Sequence, residues 1–221
     1  MIITSSKYFE IGKFVRGFRC YYPEFRALIH PPAILITYLF SVLKITPNLV
    51  SFMTTIFSIG TLYFYSQESY FLAFLFYWVR TVLDYVDGAL ARYTNQCTKF
   101  GKYLDLTIDY LFYFSFWMYL AYAYYDIGIY ILCIPILYIV VIDYFVEPRL
   151  SSLKKREPLK QFFIGKGFIL GFAPFGPFEL WAFAASFMGV ISEFILYFMM
   201  LVFIDLLYRV YEVVRFSEKQ P

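Results

Sequence analysis

Four aspartates lie close together, at positions 84–109, in a chain that is otherwise mostly apolar. Asp84 and Asp87 are three residues apart, and Asp105 and Asp109 are four apart, so each pair lies on one face of a helix. A short connection makes the two helices antiparallel neighbours, which allows both pairs to converge. Because converging carboxylates repel one another and are costly to desolvate, the spacing indicates that cations are held there.

Divalent metal ions are the cations that this residue set favours. Arg80 and Arg92 are close in sequence, but two arginines do not account for four carboxylates. Hard divalent cations bind oxygen ligands, and the absence of a nearby cysteine and histidine set argues against zinc or copper. Two metals that share aspartates recur in enzymes acting at phosphorus. An internal ion-pair network or an ion pathway is the alternative.

Small residues accompany the aspartates. Gly88 and Ala91 share a helical face with Asp84 and Asp87, where they would let a bulky ligand approach the backbone. Close helix packing is the alternative reading, and it has more weight for Gly101 than for Gly88, which lies beside Asp87.

The composition indicates an integral membrane protein. The 221 residues are 61% hydrophobic and 24% aromatic, and the mean hydropathy is +0.63. With glycine counted in place of tyrosine the apolar share is about 56%, above the ~45–50% of soluble domains. At ~20 residues per span the length suits about six spans. We therefore predict an all-α bundle of six transmembrane helices, preceded by an interfacial amphipathic segment, with no nucleic-acid partner.

The predicted segments follow the apolar runs. Residues 1–45 form a cytosolic or interfacial segment, in which Pro31 and Pro32 are expected to break any helix and 33–42 to lie in the interface. Thr46 or Asn48 is expected to cap the first span. The membrane domain covers 46–215, and 216–221 form a cytosolic tail. The spans are placed at roughly 48–66, 70–92, 100–123 and 127–147, then from near Phe162, then within 180–214.

The charges predict the orientation of the spans. The expected turns near 67–69, 125–127 and 174–179 carry Glu68, Asp126 and Glu179 but no Lys or Arg. The basic residues, including those of the 147–160 loop, fall on the opposite side. The positive-inside rule then places both termini and the aspartates at the cytosolic side. The three cysteines are too far apart and odd in number for a disulfide framework, and His30 beside two prolines is read as structural.

The stretch D-x2-D-G-x2-A-R-x8-G-x3-D-x3-D, residues 84–109, resembles the signature of the CDP-alcohol phosphotransferases, the class I CDP-alcohol phosphatidyltransferase family. All eight fixed positions match. The resemblance implies a membrane enzyme, usually a homodimer, that transfers a phosphatidyl or phospho-alcohol group from a CDP-linked donor to an acceptor hydroxyl and releases CMP. The site would open to the cytosol.

The resemblance also implies roles for single residues. Asp84, Asp87, Asp105 and Asp109 would hold two Mg²⁺ or Mn²⁺ ions, and Asp109 would also be the general base. The implied donor-binding residues are Pro47, Asn48, Leu49, Val50, Gly88, Ala91, Arg92, Thr98 and Gly101.

The acceptor is less defined. The motif's surroundings resemble the phosphatidylglycerophosphate and phosphatidylinositol branches, which implies CDP-diacylglycerol as donor and a small polar alcohol as acceptor. A phosphorylated acceptor needs cations, and the candidates are Arg149, Lys154, Lys155, Arg156 and Lys166. The alternative is that they only set topology and contact anionic lipids.

Two other functions compete with this one. An aspartate-rich membrane prenyltransferase would show a second acidic motif, but the later acidic residues are scattered. A non-enzymatic transporter would usually show an internal repeat or paired broken helices, and neither is visible in the sequence.

Overall fold

The computed structural model describes residues 4–15, 28–141 and 177–217. Within these ranges the chain is helical and no strand is found. The α-helices are α1 (Ser5–Val15), α2 (His30–Val42), α3 (Pro47–Ser66), α4 (Tyr70–Tyr93), α5 (Lys99–Ala123), α6 (Gly128–Val140), α7 (Pro177–Phe187) and α8 (Ile191–Ser217). A short 3₁₀ turn at Tyr125–Ile127 precedes α6. The all-helical prediction is confirmed for this part of the chain.

Two compact units divide the chain after Ser115. In the first unit α3 and α4 make the most extensive helix contact, and α4 also packs against α1 and α2. In the second unit α8 packs against α6 and α7. Every aspartate of the 84–109 stretch belongs to the first unit.

The contact between α3 and α4 depends on small residues. Gly60 lies directly against the ring of Phe76, where a Cβ atom would clash. The rings of Phe57 and Phe64 surround Phe76, with centroids 5.4 and 4.9 Å away. The buried face of α3 also carries hydroxyl residues, and Thr54 and others donate to the carbonyl one turn earlier. Small side chains with internally satisfied hydroxyls let two helices approach closely in an apolar medium.

The helix bounds agree with the predicted segments at 48–66, 70–92 and 100–123 to within one or two residues. Among the described residues, two helices are both long and apolar enough to cross a membrane: Pro47–Ser66 and the Ile191–Tyr208 part of α8. α4 and α5 are longer, with 24 and 25 residues, but they carry the charged residues of the cluster. The six-span bundle therefore stays a prediction.

Pro31 and Pro32 mark a helix boundary, as predicted. A turn at residue 29 precedes α2, and both prolines lie in the first turn of α2, where the missing N–H of proline is not needed. The predicted side-chain cap of the next helix was wrong. Thr46 occupies the N-cap position of α3, but no side chain caps this helix. Its backbone carbonyl instead accepts the N–H groups of Leu49 and Val50 at 3.1 and 3.3 Å.

The second half of the chain is described in part. The expected turn near Asp126 is confirmed by the 3₁₀ turn. The last helix begins at Ile191, after a turn in which Gly189 has φ +72°, a backbone conformation that favours glycine. The basic loop at 147–160 and the start of a helix near Phe162 lie outside the described residues.

Candidate active site

Three of the four aspartates converge at the adjoining ends of α4 and α5. One carboxylate oxygen each from Asp84, Asp105 and Asp109 lies within 4.8 Å of the others, and all three residues are partly buried. Oxygens on opposite sides of a Mg²⁺ ion are about 4.2 Å apart, given ligand distances of about 2.1 Å. The residues therefore fit a hard divalent cation after a small inward movement.

Asp87 takes a different position from the other three. It is 5% exposed, and its Oδ2 accepts a hydrogen bond of 2.7 Å from the hydroxyl of Ser51 on α3. Sequence reasoning missed Ser51. Its position one helical turn after Pro47 is the signal that could have identified it, because residues four apart share a helix face.

The cluster includes a cation of the chain itself. Arg80 on α4 is 2% exposed, and its Nη2 donates to Oδ1 of Asp109 on α5. The sequence placed Arg80 one turn before Asp84, but the ion pair that forms is with Asp109.

A cavity of about 510 Å³ opens beside the cluster. This volume lies in the range typical of small-molecule and cofactor sites. Its lining residues are Pro47, Asn48, Ser51, Asp87, Gly88, Ala91, Arg92, Gln96, Cys97, Thr98, Lys99, Gly101, Lys102 and Asp105. The lining combines apolar surface with amide, carboxylate and cationic groups, so it can hold a ligand that carries both a ring and negative charge.

Most of the residues proposed to bind the donor lie in this cavity, but two do not line it. Leu49 is 48% exposed, and Val50 is fully buried in the core. Both lie on α3 just beyond Asn48, and successive residues of a helix point in different directions. Sequence reasoning also missed Gln96, Lys99 and Lys102, which line the cavity between α4 and α5.

Thr98 and Gly101 form the start of α5. The hydroxyl of Thr98 accepts the backbone N–H of Gly101 at 2.9 Å, which is an N-cap contact. A Cβ atom on Gly101 would come within 3.1 Å of the Thr98 hydroxyl and 3.4 Å of the Asn48 Oδ1 atom. Because Gly101 has no side chain, space remains in the cavity beside Thr98 and Asn48.

Arg92 connects the cavity with the N-terminal helix. Its Nη2 donates to the backbone carbonyl of Phe14, near the end of α1, at 3.0 Å. The Phe14 ring also meets the Tyr93 ring edge-on, with centroids 5.6 Å apart. Sequence reasoning placed α1 at the cytosolic surface without linking it to the site.

His30 and the two described cysteines were not assigned to the site from the sequence. His30 is 8% exposed, and its ring lies 5.9 Å from the ring of Tyr85, which agrees with a structural role. Cys97 and Cys133 are free thiols. The five basic residues proposed for the acceptor lie outside the described residues: Arg149, Lys154, Lys155, Arg156 and Lys166.

In the described part of the chain, the fold is helical and a carboxylate cluster adjoins a cavity of about 510 Å³. Residues 44–206 match the family described as CDP-alcohol phosphatidyltransferase. Because the match covers well over half of the chain, the chain belongs to this family. Its members are transferases of substituted phosphate groups, and the resemblance noted from the signature is confirmed.

Three proteins show local similarity to this chain. A CDP-diacylglycerol–glycerol-3-phosphate 3-phosphatidyltransferase of Aquifex aeolicus is 35% identical over 80 residues, which are 36% of this chain and 44% of that protein. An archaetidylinositol phosphate synthase of Pyrococcus horikoshii is 39% identical over 67 residues, 30% of this chain and 36% of that protein. An uncharacterized protein of Aquifex aeolicus is 34% identical over 88 residues, 39% of this chain and 42% of that protein. Each match thus spans less than half of the relative.

Proposed function

We propose that this chain transfers the phosphatidyl group of CDP-diacylglycerol to the hydroxyl of a small polar alcohol. The acceptor oxygen forms a bond to the phosphorus that bears the diacylglycerol, the bond from that phosphorus to the CMP oxygen breaks, and CMP leaves. The observation that carries the proposal is the cavity: six of the eight signature residues line it, and Asp105 joins it to the carboxylate cluster.

Two Mg²⁺ or Mn²⁺ ions are the proposed cofactors. The ligands would be Asp84, Asp87, Asp105 and Asp109, of which three already present oxygens within 4.8 Å of one another. Such ions neutralise a pyrophosphate and stabilise a departing phosphate. The Ser51 hydrogen bond holds the Asp87 carboxylate in a fixed orientation for this role.

Asp109 is the proposed general base. It needs only hydrogen-bond reach to the acceptor hydroxyl, and its side chain is 27% exposed although its ion-pair partner is buried. In the proposed step Asp109 takes the proton from the acceptor hydroxyl as that oxygen attacks phosphorus.

The donor would occupy the cavity with its nucleotide. Asn48 and Arg92 provide hydrogen-bonding and cationic groups there, while Gly88, Ala91 and Gly101 leave space beside the backbone. Pro47 and Thr98 complete the set within the cavity, and Leu49 and Val50 would support it from α3.

The acceptor is proposed to be a small polyol or polyol phosphate. Support comes from the names of two relatives, one acting with glycerol 3-phosphate and the other named for inositol phosphate. A phosphorylated acceptor would bind to the basic set Arg149, Lys154, Lys155, Arg156 and Lys166.

The assembly is proposed to be a homodimer in the lipid bilayer, with both termini and the active site on the cytosolic side. The apolar composition, the two apolar helices and the charge pattern of the turns support a multi-pass protein in this orientation.

An acceptor screen tests the proposed function. Purified protein is incubated with labelled CDP-diacylglycerol, Mg²⁺ or Mn²⁺ and one alcohol at a time: glycerol 3-phosphate, inositol, inositol phosphate, serine, choline or ethanolamine. We expect metal-dependent release of CMP with one of the polyol phosphates or with inositol. Release with choline or ethanolamine alone would overturn the acceptor class, and no release with any alcohol would favour a transporter or an inactive family member.

A further inference from the structure

Arg80 is a buried charged side chain to which the proposed reaction gives no role. It lies on α4 with 2% of its surface exposed, and it forms an ion pair with Asp109 on α5. Taking a guanidinium group out of water costs several kcal/mol unless its surroundings compensate. The presence of this cation beside a proposed cation site therefore needs a reason.

The Arg80 guanidinium group is held on more than one side. Its central carbon lies 4.7 Å from the ring centroid of Phe112 and 5.4 Å from that of Tyr113. The Phe112 ring is in turn stacked on the Tyr77 ring, with centroids 6.2 Å apart and planes at 27°. Both cation–π partners lie within about one turn of Asp109 on α5, so the group that contacts Asp109 has a fixed position and plane.

The Asp109 carboxylate has two kinds of neighbour, a guanidinium group and two other carboxylates. Its Oδ1 accepts from Arg80, while one of its oxygens lies within 4.8 Å of oxygens of Asp84 and Asp105. The terminal torsion of an aspartate side chain is soft, so without a partner the carboxylate could rotate among several orientations.

We propose that Arg80 is a positioning residue for Asp109. It holds the Asp109 carboxylate in the orientation in which that group joins Asp84 and Asp105 as a cation ligand and faces the acceptor hydroxyl. The role of Asp109 toward the acceptor hydroxyl rests on the proposed function, whereas its orientation toward Asp84 and Asp105 concerns only the geometry of the cluster.

A role in charge balance alone predicts the opposite effect on metal binding. Arg80 is a positive charge beside a site for positive ions, so its removal should strengthen cation binding if only its charge matters. If Arg80 orients a ligand, its removal should weaken cation binding. Arg80→Lys separates the two roles further, because lysine keeps the charge but lacks the planar fork of arginine.

The test is a double-mutant cycle on Mn²⁺ affinity, measured by electron paramagnetic resonance on the purified full chain in detergent. The variants are Arg80→Lys, Arg80→Gln, Asp109→Asn and Arg80→Gln combined with Asp109→Asn. We expect each single Arg80 variant to weaken Mn²⁺ binding roughly 10–100-fold, as loss of a group that orients a metal ligand does. In the Asp109→Asn background the same Arg80 change should alter affinity by less than about threefold, because the two residues act as a unit.

Folding is followed by size-exclusion chromatography and thermal unfolding. Arg80→Lys keeps the buried charge pair, and the combined variant removes both charges, so neither leaves an unpaired charge in the interior. Unchanged or tighter Mn²⁺ binding in Arg80→Lys and Arg80→Gln would overturn the proposal. It would also be overturned if Arg80→Gln failed to fold while Arg80→Lys folded and bound Mn²⁺ as tightly as the wild type, since Arg80 would then serve charge balance.

Transferase kinetics provide a second readout. With CDP-diacylglycerol and the preferred acceptor, Arg80→Lys should lower kcat roughly 10–100-fold and change the KM for the donor by less than about threefold. If the wild-type protein released no CMP, the proposed function would fail, but the Mn²⁺ cycle would still decide whether Arg80 orients Asp109.

Discussion

The hydrogen bond between Ser51 and Asp87 leads to a specific prediction about the proposed metal site. The Ser51 hydroxyl on α3 donates to Asp87 Oδ2 on α4 at 2.7 Å, and both side chains are buried. Ser51→Ala removes the donor and leaves a carboxylate oxygen in the interior without this partner. We expect the variant to bind divalent metal more weakly and to unfold at a lower temperature.

The size of the effect follows from the partners of this bond. Hydrogen bonds to charged groups contribute about 1.5–3 kcal/mol, whereas side-chain hydrogen bonds between helices in membranes average about 0.6 kcal/mol and reach about 1.7. A buried carboxylate acceptor belongs where the two ranges overlap, at about 1.5 kcal/mol. Because 1.4 kcal/mol corresponds to a factor of ten, and the bond already exists without metal, the Mn²⁺ dissociation constant should rise by at most about tenfold.

Ser58→Ala is the matched control. Ser58 lies on the same helix and is 5% exposed, against 4% for Ser51, but its hydroxyl donates to the backbone carbonyl of Thr54 at 2.8 Å. Because this acceptor is a backbone carbonyl within α3 and not a proposed metal ligand, loss of the Ser58 hydroxyl should leave Mn²⁺ affinity unchanged. Titration of Mn²⁺ by electron paramagnetic resonance compares the two variants. Equal affinity in Ser51→Ala and wild type, or an equal loss in both variants, would refute the reasoning.

Three further predictions concern the base, the cavity and the helix contact. Asp109→Asn should weaken metal binding and abolish CMP release. At metal concentrations that saturate the three remaining aspartates, metal-dependent binding of CDP-diacylglycerol should largely persist, and full transferase activity would contradict the role of Asp109 as base. Cys97 lines the cavity, so CDP-diacylglycerol and Mg²⁺ should slow its labelling by a maleimide in a variant whose other two cysteines are replaced by serine. An unchanged labelling rate would place the donor elsewhere. Gly60→Ala should lower the free energy of unfolding by about 1–3 kcal/mol through overpacking against Phe76, as measured by thermal unfolding. Adding Phe76→Leu should restore part of that loss, and an unchanged stability of Gly60→Ala would contradict the close helix contact.

The position of the acidic cluster could be predicted from the sequence. Helical spacing places Asp105 and Asp109 on one face, and the short segment between Tyr93 and Lys99 leaves α4 and α5 as neighbours. Both observations use only residues that are close in the sequence, so they can be made without knowing the rest of the fold. The same local reasoning gave the bounds of α3, α4 and α5 closely.

The contacts of the site between residues far apart in the sequence could not be predicted in this way. Ser51 and Asp87 are 36 residues apart, Arg80 and Asp109 are 29 apart, and Arg92 is 78 residues from the carbonyl of Phe14. Helical periodicity fixes which residues of one helix share a face, but it does not fix how that helix is rotated against its neighbour. These contacts depend on that rotation.

The formal charges of the site give a reason for two arginines near the proposed metal ligands, of which Arg80 is buried and Arg92 is partly exposed. Counted as fully ionised, four carboxylates with Arg80 and Arg92 have a formal net charge of −2. Two divalent ions, as proposed, would reverse this to two positive charges, which matches the two negative charges of a nucleotide pyrophosphate diester. Without the arginines the loaded cluster would be neutral and would gain little from binding an anionic donor. In the proposed reaction the arginines would thus favour binding of the anionic donor to the metal-loaded site.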